Sequence, residues 1–264
     1  MTPAAMFDLR RRWLLLLVAV MVSFIGVAMA DALIMRPAPA DARLRDVEAH
    51  LKQSFPQLRA DRVVWSQVPE LAEVTSGTQV VYYAPAADLL LIGDLINRKG
   101  ESLTQQRIEQ LQRAAIPADA GVIAGEGSRE LIVFVDPDCG YCARAATWLQ
   151  AQAELRIRFV FMPLQPGSPA EARARAFVCL PPSARLAALP ALFSRVNTAP
   201  QSAQCSEAAD VLAHHAEIAT AAGIRATPTF FVGAQTVQGF DPARLHAALD
   251  ALPSDPTHAE RSTP

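Results

Sequence analysis

The sequence predicts an α+β protein in which a small N-terminal unit is joined by a linker helix to a larger second domain. Three observations carry that prediction. Two apolar runs rich in β-branched and aromatic residues, 131–135 and 157–162, flank a stretch of helix formers at 143–152. That is the pattern of a strand–helix–strand unit, with parallel strands and a right-handed crossover. Upstream, 63–65, 79–84 and 89–92 read as short strands separated by turn residues. Between the two groups, 103–115 carries apolar residues at 103, 108, 111 and 115, a helical period. With 264 residues, 51% hydrophobic and 19% charged, the chain suffices for one large domain or two modest ones. A net charge of −2 and the lack of a basic stripe argue against nucleic-acid binding.

The N-terminus stands apart from the fold. Arg10-Arg11-Arg12 precedes an uncharged stretch, 13–30, and Ala28-Met29-Ala30 before Asp31 has the small-x-small form of a signal-peptidase site. The run is about 18 residues, longer than a usual signal core and just long enough to span a bilayer. Residues 1–30 are therefore read as a cleaved signal peptide or as an uncleaved inner-membrane anchor with its positive end inside. A buried core helix is the third interpretation. Either export reading places the remainder outside the cytoplasm, where disulfides persist.

Taken in order, 31–42 is rich in Ala and Pro and reads as a spacer. Within 43–100, the first helix is expected over 44–55, apolar at 44, 47, 51 and 55 and ended by Pro56. The strands follow, with turns at Ser76-Gly77 and 85–88. A unit of roughly 60 residues is marginal alone, so it either pairs with a second copy or packs on its own second domain. Residues 101–127 form the linker helix and a loop containing Pro117, Gly121, Gly125 and Gly127. The second domain, 128–252, opens with the strand–helix–strand unit. It continues through helical segments at 169–180, 184–196 and 207–222, the last stopped by Gly223. A hairpin over 229–232 and 236–238 turns at Gly233-Ala234, and Asp241-Pro242 opens the final helix. The polar tail, 253–264, is expected to be disordered. No internal repeat is present.

The chemistry concentrates at Asp136-Pro137-Asp138-Cys139-Gly140-Tyr141-Cys142. Asp and Pro end the strand, and helix formers follow Cys142, so Cys139 falls at or near a helix N-terminus. Unfilled N–H groups and the dipole there stabilise a thiolate, the reactive form of cysteine. A free cysteine is about 3% thiolate at pH 7, whereas motifs of this type lower the pKa to roughly 3.5–7.5. Cys139 is thus the expected attacking sulfur, and Cys142, three residues on, can close a disulfide with it. Asp136 and Asp138 oppose the shift by like charge. A Cys-x-x-Cys in this setting is a redox signature; half of a structural zinc site and an inert bridge are the rival interpretations. Cys179 and Cys205, 26 positions apart, lie outside the expected strands. An even cysteine count in an exported chain favours pairing, so they are read as a structural disulfide, against two buried free thiols. Thr227-Pro228 stands where a helix gives way to a strand, a place where a trans proline is common. His50, His214, His215, His246 and His258 share no spacing that suggests a metal, and no cofactor is expected.

With these residues in view, the chain resembles the periplasmic disulfide isomerase family of DsbC and DsbG. The matching pieces are Phe134-Val-Asp-Pro-Asp-Cys-Gly-Tyr-Cys142, Gly223-Ile-Arg-Ala-Thr-Pro228, Gly239-Phe240 and the pair Cys179 and Cys205. Tyr82-Tyr83 and Gly93-Asp94-Leu95 resemble the family's dimerisation domain less specifically. The resemblance spans roughly 41–252. It implies a thioredoxin-like catalytic domain, a cis-proline at Pro228 with Thr227 against the active pair, and a structural second cysteine pair. It also implies a homodimer built through the N-terminal domains, misfolded disulfide-containing exported proteins as substrates, and a DsbD-like membrane reductant. The long apolar N-terminus departs from a plain soluble member and leaves a tethered variant open. Isomerisation needs the pair kept reduced, and this chain has no second redox pair to do so. A disulfide oxidase on the same fold, and a chaperone or assembly factor for an export or conjugation apparatus, are the alternative functions.

Overall fold

The computed structural model describes residues 40–162, 165–195 and 205–252. The expectations for 1–30, for most of the spacer and for the tail 253–264 fall outside these residues. The chain divides into two compact units, 1–58 and 59–264.

In the first unit, helix α1 spans Ala40–Ser54. It begins inside the stretch read as spacer, because Ala42, Arg43, Leu44 and Arg45 are all strong helix formers and the last upstream proline is Pro39. At its end Phe55 N donates to Leu51 O at 2.8 Å before Pro56 stops the ladder.

The second unit holds two sheets. The first is an antiparallel meander of four strands, β1 (Arg62–Trp65), β2 (Ala72–Ser76), β3 (Gln79–Ala84) and β4 (Leu89–Leu91), in that order. Strand β2 was not legible in the sequence: Glu73, Thr75 and Ser76 leave it only one large apolar residue, Val74. It is fixed by pairing on both sides, and the β2–β3 hairpin closes with Ser76 opposite Gln79. Gly77 takes φ +56 there, a conformation that costs glycine least. Helix α2 (Leu103–Ala114) follows, with Ser102 as its N-cap accepting from Gln105 N at 2.9 Å. The helix is tied to the sheet by Tyr82 Oη and Thr104 Oγ1 at 2.7 Å and by an Arg107–Glu73 ion pair at 2.8 Å.

The second sheet has five strands in the order β5-β7-β6-β8-β9, with β5 (Val122–Ala124), β6 (Arg129–Val135), β7 (Leu155–Phe161), β8 (Thr229–Val232) and β9 (Gln235–Gln238). Strand β6 runs parallel to β7 and antiparallel to β8. Helix α3 (Gly140–Gln150) connects β6 to β7, as the apolar pattern requires. Strand β5, read from sequence as linker loop, is an edge strand antiparallel to β7. At three residues it is too short to show a period, and Gly121 and Gly125 flank it. Those glycines are needed: a Cβ at 125 would stand 2.5 Å from Leu155 O. Helices α4 (Pro169–Val178), α5 (Pro182–Leu192), α6 (Ala208–Ala221) and α7 (Pro242–Asp250) complete the unit.

The core lies on both faces of this sheet. Leu131, Val133 and Val135 enter one cluster, while Ile132 and Phe134 enter the other. Burial on both faces is why the strand reads as an unbroken apolar run. Phe177 meets Phe159 and Phe161 edge-on, with ring centroids 5.8 and 5.7 Å apart. His215 is buried beside them, and its Nδ1 accepts from Phe161 N at 3.2 Å. Burial, with a smaller effect of His214, lowers its pKa to about 4, so it remains a neutral packing residue at pH 7.

Candidate functional site

The site is built where β6 stops. Asp138 N donates to Asp136 Oδ1 at 2.8 Å and Cys139 N to Asp136 O at 3.0 Å, which folds the chain out of the sheet. Helix α3 then starts at Gly140 with Cys139 as its N-cap, in an extended backbone conformation. A cap residue normally offers an oxygen to the first free N–H groups. Here sulfur takes that place: Cys142 N donates to Cys139 Sγ at 3.4 Å.

Across from it, the Thr227–Pro228 bond is cis, and Cys139 Sγ donates to Thr227 O at 3.3 Å. The loop is held by Thr229 Oγ1 donating to Ala226 O and Gly239 N to Pro228 O, both at 2.8 Å. Cys139, Cys142, Thr227 and Pro228, 88 positions apart at the Sγ–carbonyl contact, thus converge on one point.

The two sulfurs differ in setting. Cys139 is half-buried and Cys142 fully buried, and both are free thiols. Burial alone would raise the Cys139 pKa. Hydrogen bonds from the side chains of Thr227 and Cys142 and from the backbone N–H groups of Cys142 and Tyr141 outweigh it, so the pKa falls below that of an ordinary thiol. For Cys142 burial prevails, the neighbouring Cys139 adds to it, and the thiol is pushed well above its ordinary range. One sulfur is poised to ionise and the other is held protonated.

Between them, Tyr141 is 57% exposed and the Arg144 guanidinium lies 4.3 Å from its ring centroid. A Cβ at Gly140 would meet nothing within 4 Å, so the space beside this residue is open. Sequence reasoning missed two further residues. Arg173 on α4 pairs with Asp138, and Arg195 donates to Asp138 O at 2.9 Å. The like charge expected from Asp138 is therefore compensated. No local signal joins an arginine to a carboxylate 35 positions away.

The other cysteines are set apart chemically. Cys179, the C-cap of α4, is disulfide-bonded to Cys205, with a Cα–Cα distance of 5.6 Å. Among the described residues no group of three His, Cys, Asp or Glu could hold a metal ion. No helix among them is long and apolar enough to cross a membrane.

Residues 116–252 match the model of the thioredoxin-like domain family. The chain belongs to the thioredoxin-like family. Ahead of that match, residues 36–105 match the N-terminal domain of disulfide bond isomerase proteins, DsbC_N. The α+β reading, with a thioredoxin-like domain behind a DsbC-type N-terminal domain, therefore holds. Relatives include the probable thiol:disulfide interchange protein DsbC of Bordetella pertussis, 31% identical over 110 residues. The counterpart of Bordetella avium is 27% identical over 110 residues. The aligned part covers 39% of this chain and 39% of the Bordetella pertussis protein, so the chain spans about two fifths of that relative's length. Among solved structures, Proteus mirabilis ScsC with a linker deletion aligns at TM-score 0.46 and 19% identity, over 55% of this chain and 84% of that one. The thiol-disulfide exchange protein α-DsbA2 of Wolbachia pipientis aligns at TM-score 0.48 and 14% identity, over 57% and 98%.

Proposed function

We propose that this thioredoxin-like protein is a thiol:disulfide interchange enzyme of the periplasm that reduces and reshuffles incorrect disulfides in exported proteins. The observation that carries the reading is the placing of a half-buried Cys139 sulfur as the cap of a helix N-terminus, with a fully buried Cys142 behind it. Cys139 thiolate attacks one sulfur of a wrong substrate disulfide. A Cys139–substrate bond forms, the substrate S–S bond breaks, and one substrate thiolate is released. That thiolate attacks a second disulfide, and the last substrate sulfur to be freed displaces Cys139, so the cycle ends with no net oxidation. If rearrangement stalls, Cys142 loses its proton and attacks Cys139 Sγ. The substrate then leaves reduced by two electrons, and the Cys139–Cys142 pair is left oxidised.

The high pKa of Cys142 favours this order of events, since a protonated resolving thiol allows the mixed disulfide time to rearrange. Return of the pair to the dithiol requires an outside donor, which the family resemblance assigns to a DsbD-like membrane reductant. Thr227 and Pro228 flank the attacking sulfur, and Gly140 and Tyr141 form the surface that substrate crosses. The Cys179–Cys205 disulfide acts as a structural brace.

The N-terminal domain, 43–100, serves as a dimerisation domain in this reading. Leu89 at 62%, Leu91 at 45% and Ile92 at 83% exposure place an apolar edge at β4, which supports pairing with a second copy. Chaperone activity would follow from the two thioredoxin-like domains of such a dimer facing one unfolded chain. Reactivation of a scrambled multi-disulfide protein in a glutathione buffer tests the proposal, with Cys139→Ala as the control. Cys139-dependent reactivation is expected. Oxidation of reduced substrate without reshuffling would make the protein an oxidase. Suppression of aggregation alone, unaffected by loss of Cys139, would make it a chaperone.

A further inference from the structure

Asp138 stands immediately before the attacking sulfur, and its carboxylate taken alone opposes a thiolate there. The fold supplies a partner from elsewhere in the chain. Arg173 pairs with Asp138 Oδ1, and its Nε donates to Leu192 O at 2.9 Å. Arg195 donates to the Asp138 carbonyl at 2.9 Å. Arg173 is 6% exposed at its side chain whereas Asp138 is 46% exposed. Burying a guanidinium is costly unless it is paired, and the carboxylate it meets is that of the residue preceding Cys139.

We infer that Arg173 is a positioning residue for disulfide exchange: by neutralising Asp138 and fixing the turn before Cys139, it keeps the field at the Cys139 sulfur favourable to the thiolate. The inference rests on Cys139 being the nucleophile. An uncompensated charge on the residue preceding a partly solvated sulfur is expected to change the thiolate-to-thiol ratio by about threefold to tenfold. The signs are distinctive. Without the Arg173 charge, Asp138 is unpaired and the Cys139 pKa rises. Without the Asp138 charge, Arg173 is unpaired and the pKa falls. The other charged groups around the turn, Asp136, Arg144 on α3 and Arg195 after α5, are unchanged in both cases.

The test is the pH dependence of Cys139 alkylation by iodoacetamide in the full chain, read by peptide mass spectrometry, with unfolding curves run in parallel. Arg173→Met is expected to raise the Cys139 pKa by about half to one unit, Asp138→Asn to lower it, and the double variant to return close to wild type. Arg173→Lys, which keeps the charge, is expected to stay within a few tenths of a unit of wild type. A tenfold loss of thiolate stabilisation also moves the pair's reduction potential by about 30 mV to more negative values. Shifts of the same sign in Arg173→Met and Asp138→Asn, or no shift in either, would overturn the inference. If Arg173→Met does not fold, Asp138→Asn decides: a pKa that fails to fall overturns it. A low-pKa titration mapping to Cys142 in the wild type would overturn the nucleophile assignment and the inference with it, and is read from the wild type alone.

Discussion

The chain carries two cysteine pairs, and the same side chain does opposite work in each. Cys139 and Cys142 are three residues apart, free, and placed on one helix turn facing Thr227. Cys179 and Cys205 are 26 residues apart and bonded, joining the end of α4 to the segment before α6. What separates them is position on helices. A sulfur at a helix N-terminus receives N–H groups and gains thiolate character. A sulfur at a helix C-terminus, where carbonyls gather, has no such support, and Cys179 there is held in a closed bond. Within the first pair the same contrast recurs on a smaller scale, since hydrogen bonds outweigh burial at Cys139 and lower its pKa whereas burial prevails at Cys142 and raises it.

The comparison breaks most visibly through substitution. Cys139→Ala is expected to abolish exchange, a loss of several orders of magnitude, measured as reactivation of a scrambled substrate. The Cys179→Ala/Cys205→Ala double variant is expected to keep the rate within about threefold, provided it is assayed folded. Its effect should appear in stability instead. Opening a loop of this length costs on the order of 3.5 kcal/mol on the chain-entropy model, readable by denaturant unfolding. A double variant that unfolds like wild type but exchanges poorly would reverse the two roles.

A third effect lies in pH. The Cys139 pKa is lowered, so its alkylation rate should rise through an inflection below the ordinary thiol value of about 8.5. Cys142, whose pKa is raised, should stay unreactive across that range. Coincident inflections for the two would contradict the contrast drawn between them. The smallest effect expected is that of Arg144→Ala. Its guanidinium lies over the exposed Tyr141 ring, a contact worth about 0.5–1 kcal/mol, so the exchange rate should change by no more than about fivefold.

Much of this site is legible in the sequence because its signals are local. The apolar run of β6, the Asp-Pro-Asp stop and the helix formers after Cys142 are contiguous, and they place Cys139 at the N-cap. The β8–β9 hairpin was equally plain, with a glycine at its turn. What escaped depends on partners distant in the chain. Strand β2 exists because β1 and β3 both bond to it, although its own residues are mostly small or polar. Strand β5 is only three residues long and depends on pairing with β7. The convergence of Thr227 on Cys139 became an expectation through family resemblance, whereas the Arg173–Asp138 pair had no sequence signal of any kind. Charge compensation across a fold is a tertiary property, so the like-charge effect expected of Asp138 was drawn without the Arg173 that pairs with it.

The most direct test of the central claim is to trap the intermediate. The Cys142→Ala protein, incubated with a disulfide-bonded substrate and quenched with acid, should hold substrate as a mixed disulfide, and peptide mapping should place that bond on Cys139. Adducts on Cys179 or Cys205, or none at all, would contradict the assignment of exchange to the sulfur that caps α3.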